Sequence, residues 1–482
     1  MRLPPEFTDK VLSFLRDQGI SSEGFLESFD EVSPKGIRIN RTKADPSSYA
    51  GILKEIDPDT EPCEKVPWCD SGFYIGSDTV GNDPYYHAGV FYPQEPSAML
   101  PGQIAGAKPG EKILDLCAAP GGKTCRIGED LGGQGLLVAN EINESRAKAL
   151  LRNVERMGLS GVVVLNEDPD NLASKLPGFF DKILLDVPCS GEGMFRRDPK
   201  AVGSWERFGP SSCIPVQRQI LEAAHIMLKA GGEIIYSTCT FDTGEDEEQI
   251  ASFIQRHPGY KVIPHPEVEG VTHAPEGSVL PGSMRIWPHL TRGDGHFCVH
   301  LKKDENESAD TFSLDKLPKY KSRRSDNYGF NKAREAYENF MKEILNGYKG
   351  ISGEFVLHGN RIHIMPANER IFDGLKAVKL GDYPGEIKPT TTERLFIPSH
   401  SLALSLNASD IRPDALLSFA RSDERLQRYL KGETVTVSSE ERAGLKKKGH
   451  IVIAADGYPL GFGKISPDGS VKNLYPKAWR IL

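Results

Sequence analysis

The chain has 482 residues and is mildly acidic, with 59 Lys and Arg against 67 Asp and Glu for a formal charge of −8. Its 48 Gly, 34 Pro and 38% hydrophobic residues exclude low-complexity disorder and fit a globular protein of several domains, at roughly 150 residues each. The charge excludes a chain that coats nucleic acid indiscriminately, but not one with a locally basic groove.

Taken in order, Phe7, Val11, Leu12, Phe14 and Leu15 share one helical face, and Gly19 with Ser21-Ser22 separates this helix from a second short one. The first thirty residues thus read as a helical cap. Residues 36–90 are mixed, with a strand at 36–40 and turns around Pro58, Pro62, Pro67 and Gly72; Cys63 and Cys69 in this stretch read as incidental. From about 108 to 302, apolar runs at 112–117, 136–140, 162–165, 182–187 and 233–237 alternate with candidate helices at about 122–131, 143–158 and 212–230. Such alternation predicts a parallel sheet covered by helices on both faces. After a helix near 245–256, segments 285–288 and 296–301 flank a Gly-Asp-Gly turn at 293–295 and predict a closing antiparallel hairpin, so that the sheet has seven strands with the last reversed.

The expected boundaries are an N-terminal extension at 1–90, an α/β domain at 91–303, a linker at 304–326, an α+β module at 327–415 and a β-rich module at 416–482. The linker carries Lys316, Lys319, Lys321, Arg323 and Arg324. A helix near 328–346, strands around 354–366 and turns at 456–457 and 468–469 follow it, with no internal repeat. No apolar run approaches the ~20 residues that cross a bilayer, and the N-terminus lacks a secretory apolar core, so a cytoplasmic location is expected. Eight cysteines without a Cys-x-x-Cys pair suit neither a disulfide scaffold nor a structural zinc site, so no metal is expected.

Three signals carry chemistry. In Leu114-Asp115-Leu116-Cys117-Ala118-Ala119-Pro120-Gly121-Gly122-Lys123-Thr124 a strand ends in small residues and then opens a helix. Small residues let a ligand approach the backbone, and the helix start offers free N–H groups. The spacing does not match an ATP-binding P-loop. Second, acids close three successive strands: Glu141, Asp168 and Asp186. An acid after the second strand suits ribose hydroxyls. Third, Asp186-Val187-Pro188-Cys189-Ser190-Gly191 ends the fourth strand and Ser237-Thr238-Cys239-Thr240 the fifth, which brings two cysteines to the edge that holds the Gly-rich loop.

These motifs resemble the Sun/Nop family of RNA cytosine-C5 methyltransferases, whose S-adenosylmethionine, Pro-Cys and Thr-Cys motifs match CAAPGGKT, DVPCSGEG and STCT over about 90–302. The resemblance implies a class I S-adenosylmethionine-dependent methyltransferase fold, Rossmann-like, that transfers a methyl group to carbon 5 of a cytidine. It implies Cys239 as nucleophile, Cys189 in product release and Asp186 on the cytosine N3/N4 edge. Cys117, Ala118, Ala119, Pro120, Gly121, Gly122 and Lys123 would cradle the cofactor's methionine end, Glu141 its ribose and Asp168 its adenine side, with Asp186 also at this site. Arg146 is a further candidate facing the cofactor, and Lys123 has RNA phosphate as its alternative partner.

The C-terminal stretch, with Tyr429-Leu430-Lys431-Gly432 and Lys472-Asn473-Leu474-Tyr475-Pro476-Lys477, resembles the PUA-like module of bacterial RsmF-type 16S rRNA methyltransferases. Arg196, Arg197, Lys446, Lys447, Lys448 and Lys472 are the candidate RNA contacts. The resemblance implies 16S rRNA as substrate and a monomeric enzyme. tRNA is the rival substrate, a DNA cytosine methyltransferase using Cys189 a second rival, and a non-catalytic rRNA-binding assembly factor the third.

Overall fold

The computed structural model describes residues 2–59, 64–77, 80–307, 312–314, 327–389 and 394–481. Cys63 and the basic cluster at 316–324 lie outside them.

The N-terminal helix Pro5–Asp17 buries Phe7, Val11 and Leu15, one turn apart as the apolar spacing requires. In place of the expected second helix there is one 3-10 turn, Glu27–Asp30. A small antiparallel sheet follows, with β1 (Lys35–Ile39) between β2 (Gly72–Ile75) and β3 (Phe91–Pro93).

Five parallel strands form the centre of the main sheet: β4 (Lys112–Asp115), β5 (Leu136–Asn140), β6 (Val162–Leu165), β7 (Phe180–Asp186) and β8 (Leu228–Thr238). Their spatial order is β8-β7-β4-β5-β6, so chain direction across the sheet reverses at β4. The apolar runs are continuous because both faces are covered. Ile113, Leu137, Leu184 and Ile235 pack with Ile127 and Leu150 of helices Gly122–Leu131 and Glu144–Arg156. The intervening Leu114, Val138, Ile183 and Ile234 pack with Leu221 and Phe253 of helices Pro199–Met227 and Glu247–Arg256.

Beyond this centre come β9 (Tyr260–Val262), β10 (Val271–His273), β11 (Met284–Ile286) and β12 (His296–Lys303), with β12 antiparallel to β8 and paired on its outer side with β11 and β9. The closing hairpin is present, but among the described residues the sheet has ten strands where seven were expected. Its other edge is covered by Ala377–Lys379 of the C-terminal region, antiparallel to β6. The helix expected at 212–230 begins already at Pro199 and kinks at Gly209, with φ +48°, before Pro210.

The C-terminal modules are not separate beads. Tyr85 donates to Asp456 at 2.8 Å, Arg421 pairs with Asp83 at 2.6 Å, and Ile37 and Phe91 share a core with Leu417, Tyr429 and Ile453. No helix among the described residues is long and apolar enough to cross a membrane.

Candidate active site

Ligands of doubly wound sheets bind at the carboxyl edge, where the strand order reverses. Here that edge is the end of β4 and the loop to helix Gly122–Leu131. Gly121 takes φ +116°, which admits the sharp turn into the helix. A cavity of about 210 Å³ opens at this point, walled by Cys117 to Lys123 on one side, Tyr92 and Gln94 on another, and Asp115 and Asp186 below.

Asp115 is buried, accepts from Thr124 Oγ1 at 2.6 Å through one oxygen, and has no partner for the other. Burial, with the nearby charge of Asp186, pushes its carboxyl up to about 7. An orphaned carboxylate oxygen in a cavity walled by glycines suits a ligand that carries an ammonium group.

Glu141 and Asp168 are not among the cavity walls. Glu141 is buried at the end of β5, accepts from the backbone N–H of Asn143 at 2.9 Å and faces Arg146 at 3.4 Å. Arg146 in turn donates to Ala119 O at 2.8 Å, which braces the Gly-rich loop from behind. Asp168 is exposed and caps helix Pro169–Lys175 through Asp170 and Asn171. Its neighbour Glu167 is the buried acid, and it accepts from the backbone N–H of Lys376 at 3.1 Å.

Lys123 Nζ lies 2.7 Å from Asp186 Oδ2, while Ser237 donates to Asp186 Oδ1 at 2.9 Å and His296 Nε2 stands 3.6 Å from the same oxygen. Burial works against the charge on Asp186, but the Lys123 cation and the His296 contact outweigh it and hold the carboxyl well below the usual range. Burial likewise opposes the charge on Lys123, and the carboxylate of Asp186 overcomes it, raising the ammonium. Lys123 is therefore paired with Asp186. Ser237 lies within the Thr-Cys motif and His296 just after the Gly-Asp-Gly turn; only their places beside those motifs pointed to them.

The two cysteines meet: Cys189 Sγ and Cys239 Sγ are 3.3 Å apart. β7 and β8 are adjacent and parallel, with Asp186 in register with Ser237, so the loops after them begin side by side. Gly193 lets the first loop fold against the second, because a Cβ there would lie 3.0 Å from the carbonyl oxygens of Cys239, Asp294 and Gly295. The hydrogen bond with Cys239, then burial, raises the Cys189 thiol well above its ordinary value.

Behind these loops the N-terminal cap supplies an aromatic cluster. Phe7 packs edge-on against Phe195 at 5.2 Å, and Phe241, two residues after Cys239, stacks on Trp287 at 5.2 Å. The same packing removes Arg196 from the candidate RNA contacts. It is buried, with Nε 2.6 Å from Asp294 and further bonds to Ser28 O and Gly293 O, and so ties the cap to the Gly-Asp-Gly turn. Arg197 shares Asp294 and also donates to Pro34 O, with about a third of its side chain exposed. Lys447, Lys448 and Lys472 are exposed and Lys446 half-buried, all in the C-terminal module. The one cluster with metal-ligand character among the described residues is His225, His257 and Glu307, where the two imidazoles stack with centroids 4.0 Å apart.

A family model described as 16S rRNA methyltransferase RsmB/F matches residues 103–302. Flanking it are matches to the N-terminal domain of 16S rRNA methyltransferase RsmF at 3–96, the RsmF rRNA methyltransferase first C-terminal domain at 339–406 and the methyltransferase RsmF PUA domain at 417–481. The ribosomal RNA small subunit methyltransferase F of Aliivibrio fischeri is 30% identical over 478 residues, which cover 96% of this chain and 94% of that one. The chain belongs to the RsmF family. A second RsmF relative, from Aeromonas salmonicida, is 28% identical over 98% of this chain and 96% of its own. Among solved structures, a methyltransferase homolog protein from Pyrococcus horikoshii is 26% identical with a TM-score of 0.51, covering 62% of this chain and all of that one. NSun6 from the same organism, at 20% identity and a TM-score of 0.52, shares the fold. The fold is thus a class I S-adenosylmethionine-dependent methyltransferase followed by a PUA-like module.

Proposed function

We propose that this RsmF-family protein methylates carbon 5 of a cytidine in 16S rRNA, through a covalent adduct between Cys239 and carbon 6 of the base. The observation that carries the reading is the pair of thiols 3.3 Å apart, beside an ionised Asp186 and a glycine-walled cavity. Carbon 5 of cytosine is a poor nucleophile. Addition of a thiolate to carbon 6 makes an enamine whose carbon 5 is electron-rich, which is covalent catalysis by an activated Cys.

Cys239 is the adding sulfur. Asp186, locked by Lys123 and Ser237, accepts hydrogen bonds from the N3/N4 edge of the extruded base. Cys189 serves the later elimination that frees the product. S-adenosylmethionine, when bound, supplies an electrophilic methyl group. Cys117 to Lys123 would hold its methionine end, with Asp115 opposite the ammonium, and Glu141 and Asp168 would take its ribose and adenine sides.

RNA contacts fall to Arg197, Lys446, Lys447, Lys448 and Lys472. The names of the relatives point to the small-subunit rRNA, and the cytoplasm follows as the place of action. Bisulfite sequencing of rRNA and tRNA from cells that lack the gene tests the substrate. Loss of one methylated 16S cytidine is expected; loss confined to a tRNA would overturn the rRNA assignment.

A further inference from the structure

Two chemically identical thiols in contact pose a problem for the reaction just described. Two thiolates 3.3 Å apart would repel, so the site has to decide which sulfur gives up its proton. Glu245, which the proposed chemistry leaves without a task, is fully buried beside the loops that carry both cysteines. Its carboxylate accepts from the backbone N–H of Ser190, next to Cys189, at 3.0 Å and from Gln217 Nε2 at 2.7 Å. The same Gln217 amide donates to Pro188 O at 3.0 Å, so the Pro188-Cys189-Ser190 turn is gripped from both ends. Ser190 Oγ and Thr240 Oγ1, 2.8 Å apart, join the residues that follow the two cysteines, and Tyr236 anchors the Glu245 backbone by donating to its carbonyl at 2.7 Å. Burial raises the Glu245 carboxyl, while the Ser190 and Gln217 donors oppose that rise by favouring its ionised form.

We infer that Glu245 is the positioning residue of the thiol pair: it clamps the Cys189 turn against Cys239 and, through its negative charge, keeps the proton of the pair on Cys189. Cys239 is thereby the sulfur left free to act as nucleophile. The elevation of the Cys189 thiol agrees: after its hydrogen bond with Cys239 and its burial come the charges of Cys239 and Glu245. The other titratable groups acting on these residues are Cys213 from helix Pro199–Met227, Tyr236 of β8, and Asp242 and Asp246 of the following loop. Lys123, already paired with Asp186, acts on Cys239.

The inference rests on the proposed role of Cys239, but its test needs no RNA. The full-length protein is alkylated with iodoacetamide across a pH series and the labelled cysteines are quantified by peptide mass spectrometry. In the unaltered protein Cys239 is labelled ahead of Cys189. In Glu245→Gln the onset of Cys189 labelling moves down by about one pH unit, and the Cys239 to Cys189 ratio near neutral pH falls roughly tenfold, as removal of a nearby like charge requires. Glu245→Asp keeps the charge and loses reach, so it retains the unaltered ratio; it also supplies the measurement should Glu245→Gln fail to fold. An unchanged ratio in Glu245→Gln, or Cys189 becoming the faster thiol in Glu245→Asp, overturns the inference. A protein that shows the expected labelling yet methylates no cytidine would instead overturn the proposed reaction and leave the division of roles between the thiols standing.

Discussion

Lys123→Met removes the cation that faces Asp186 at 2.7 Å, in a pair whose side chains are 10% and 30% exposed. Breaking a fully buried pair costs roughly 3–5 kcal/mol, because the surviving charge stays desolvated. Asp186 keeps some solvent and still receives the Ser237 hydroxyl at 2.9 Å, so the expected loss is about 2–3 kcal/mol. At roughly 2–4 °C per kcal/mol for a unit of this size, the catalytic domain should melt about 4–12 °C lower by scanning calorimetry at pH 7. The pH dependence follows from the direction of each shift. Asp186 is depressed, so its contribution is present above the unfolded-state value near 4 and is lost as pH falls through the lower folded value. Lys123 is raised, so its contribution is present below the unfolded-state value and is lost only as pH climbs through the higher folded one. The penalty is therefore full at neutral pH and shrinks only in strong acid, where Asp186 takes a proton, or in strong alkali, where Lys123 loses one. Adding Asp186→Asn should restore much of the loss, with a coupling of about 2 kcal/mol. If the two changes are additive to within roughly 0.5 kcal/mol, the pair is not the electrostatic unit described here.

Cys239→Ala should abolish methyl transfer, whereas Cys189→Ala should leave a protein–RNA adduct visible on a denaturing gel; the reverse pattern would exchange their roles. Asp115 is pushed up to about 7, so S-adenosylmethionine affinity should rise as pH climbs through that value, and calorimetry of Asp115→Asn should show weaker binding without the pH dependence. Arg196→Leu should cost about 3 kcal/mol, from the buried carboxylate and carbonyls it deserts, while the RNA affinity of the folded fraction is unchanged; a selective loss of RNA binding would return Arg196 to the interface. Joint replacement of Lys447, Lys448 and Lys472 by Glu should weaken RNA binding and flatten its salt dependence, measured by filter binding at two salt concentrations, with the melting temperature unmoved.

The chemistry was legible because it is local. CAAPGGKT, DVPCS and STCT each sit at the end of one strand, and the alternation of apolar runs was enough to set those strands side by side. Arg196 was misread because a cation beside an aromatic after a catalytic motif looks the same in one dimension whether it faces RNA or a buried aspartate 98 residues away. Glu245, Ser237 and His296 matter through contacts that only strand pairing creates. The start of the long helix was hidden by Gly209, Pro210 and Pro215, which interrupt its pattern although the helix merely bends there. Nothing in Ala377-Val378-Lys379 announces a strand, because three residues carry no period; β6 supplies the template.

That last strand makes the catalytic domain and its RNA-binding end mutually dependent. Lys379 reaches back to Val162 O, and the backbone N–H of Asn166 donates to Lys376 O, so the outermost parallel strand has its open side sealed by a segment more than two hundred residues later in the chain. A gene cut after residue 303 would release a protein whose β6 presents a row of bare amides and carbonyls, a template for joining one molecule to the next. Such a fragment should precipitate instead of surviving as a weaker enzyme.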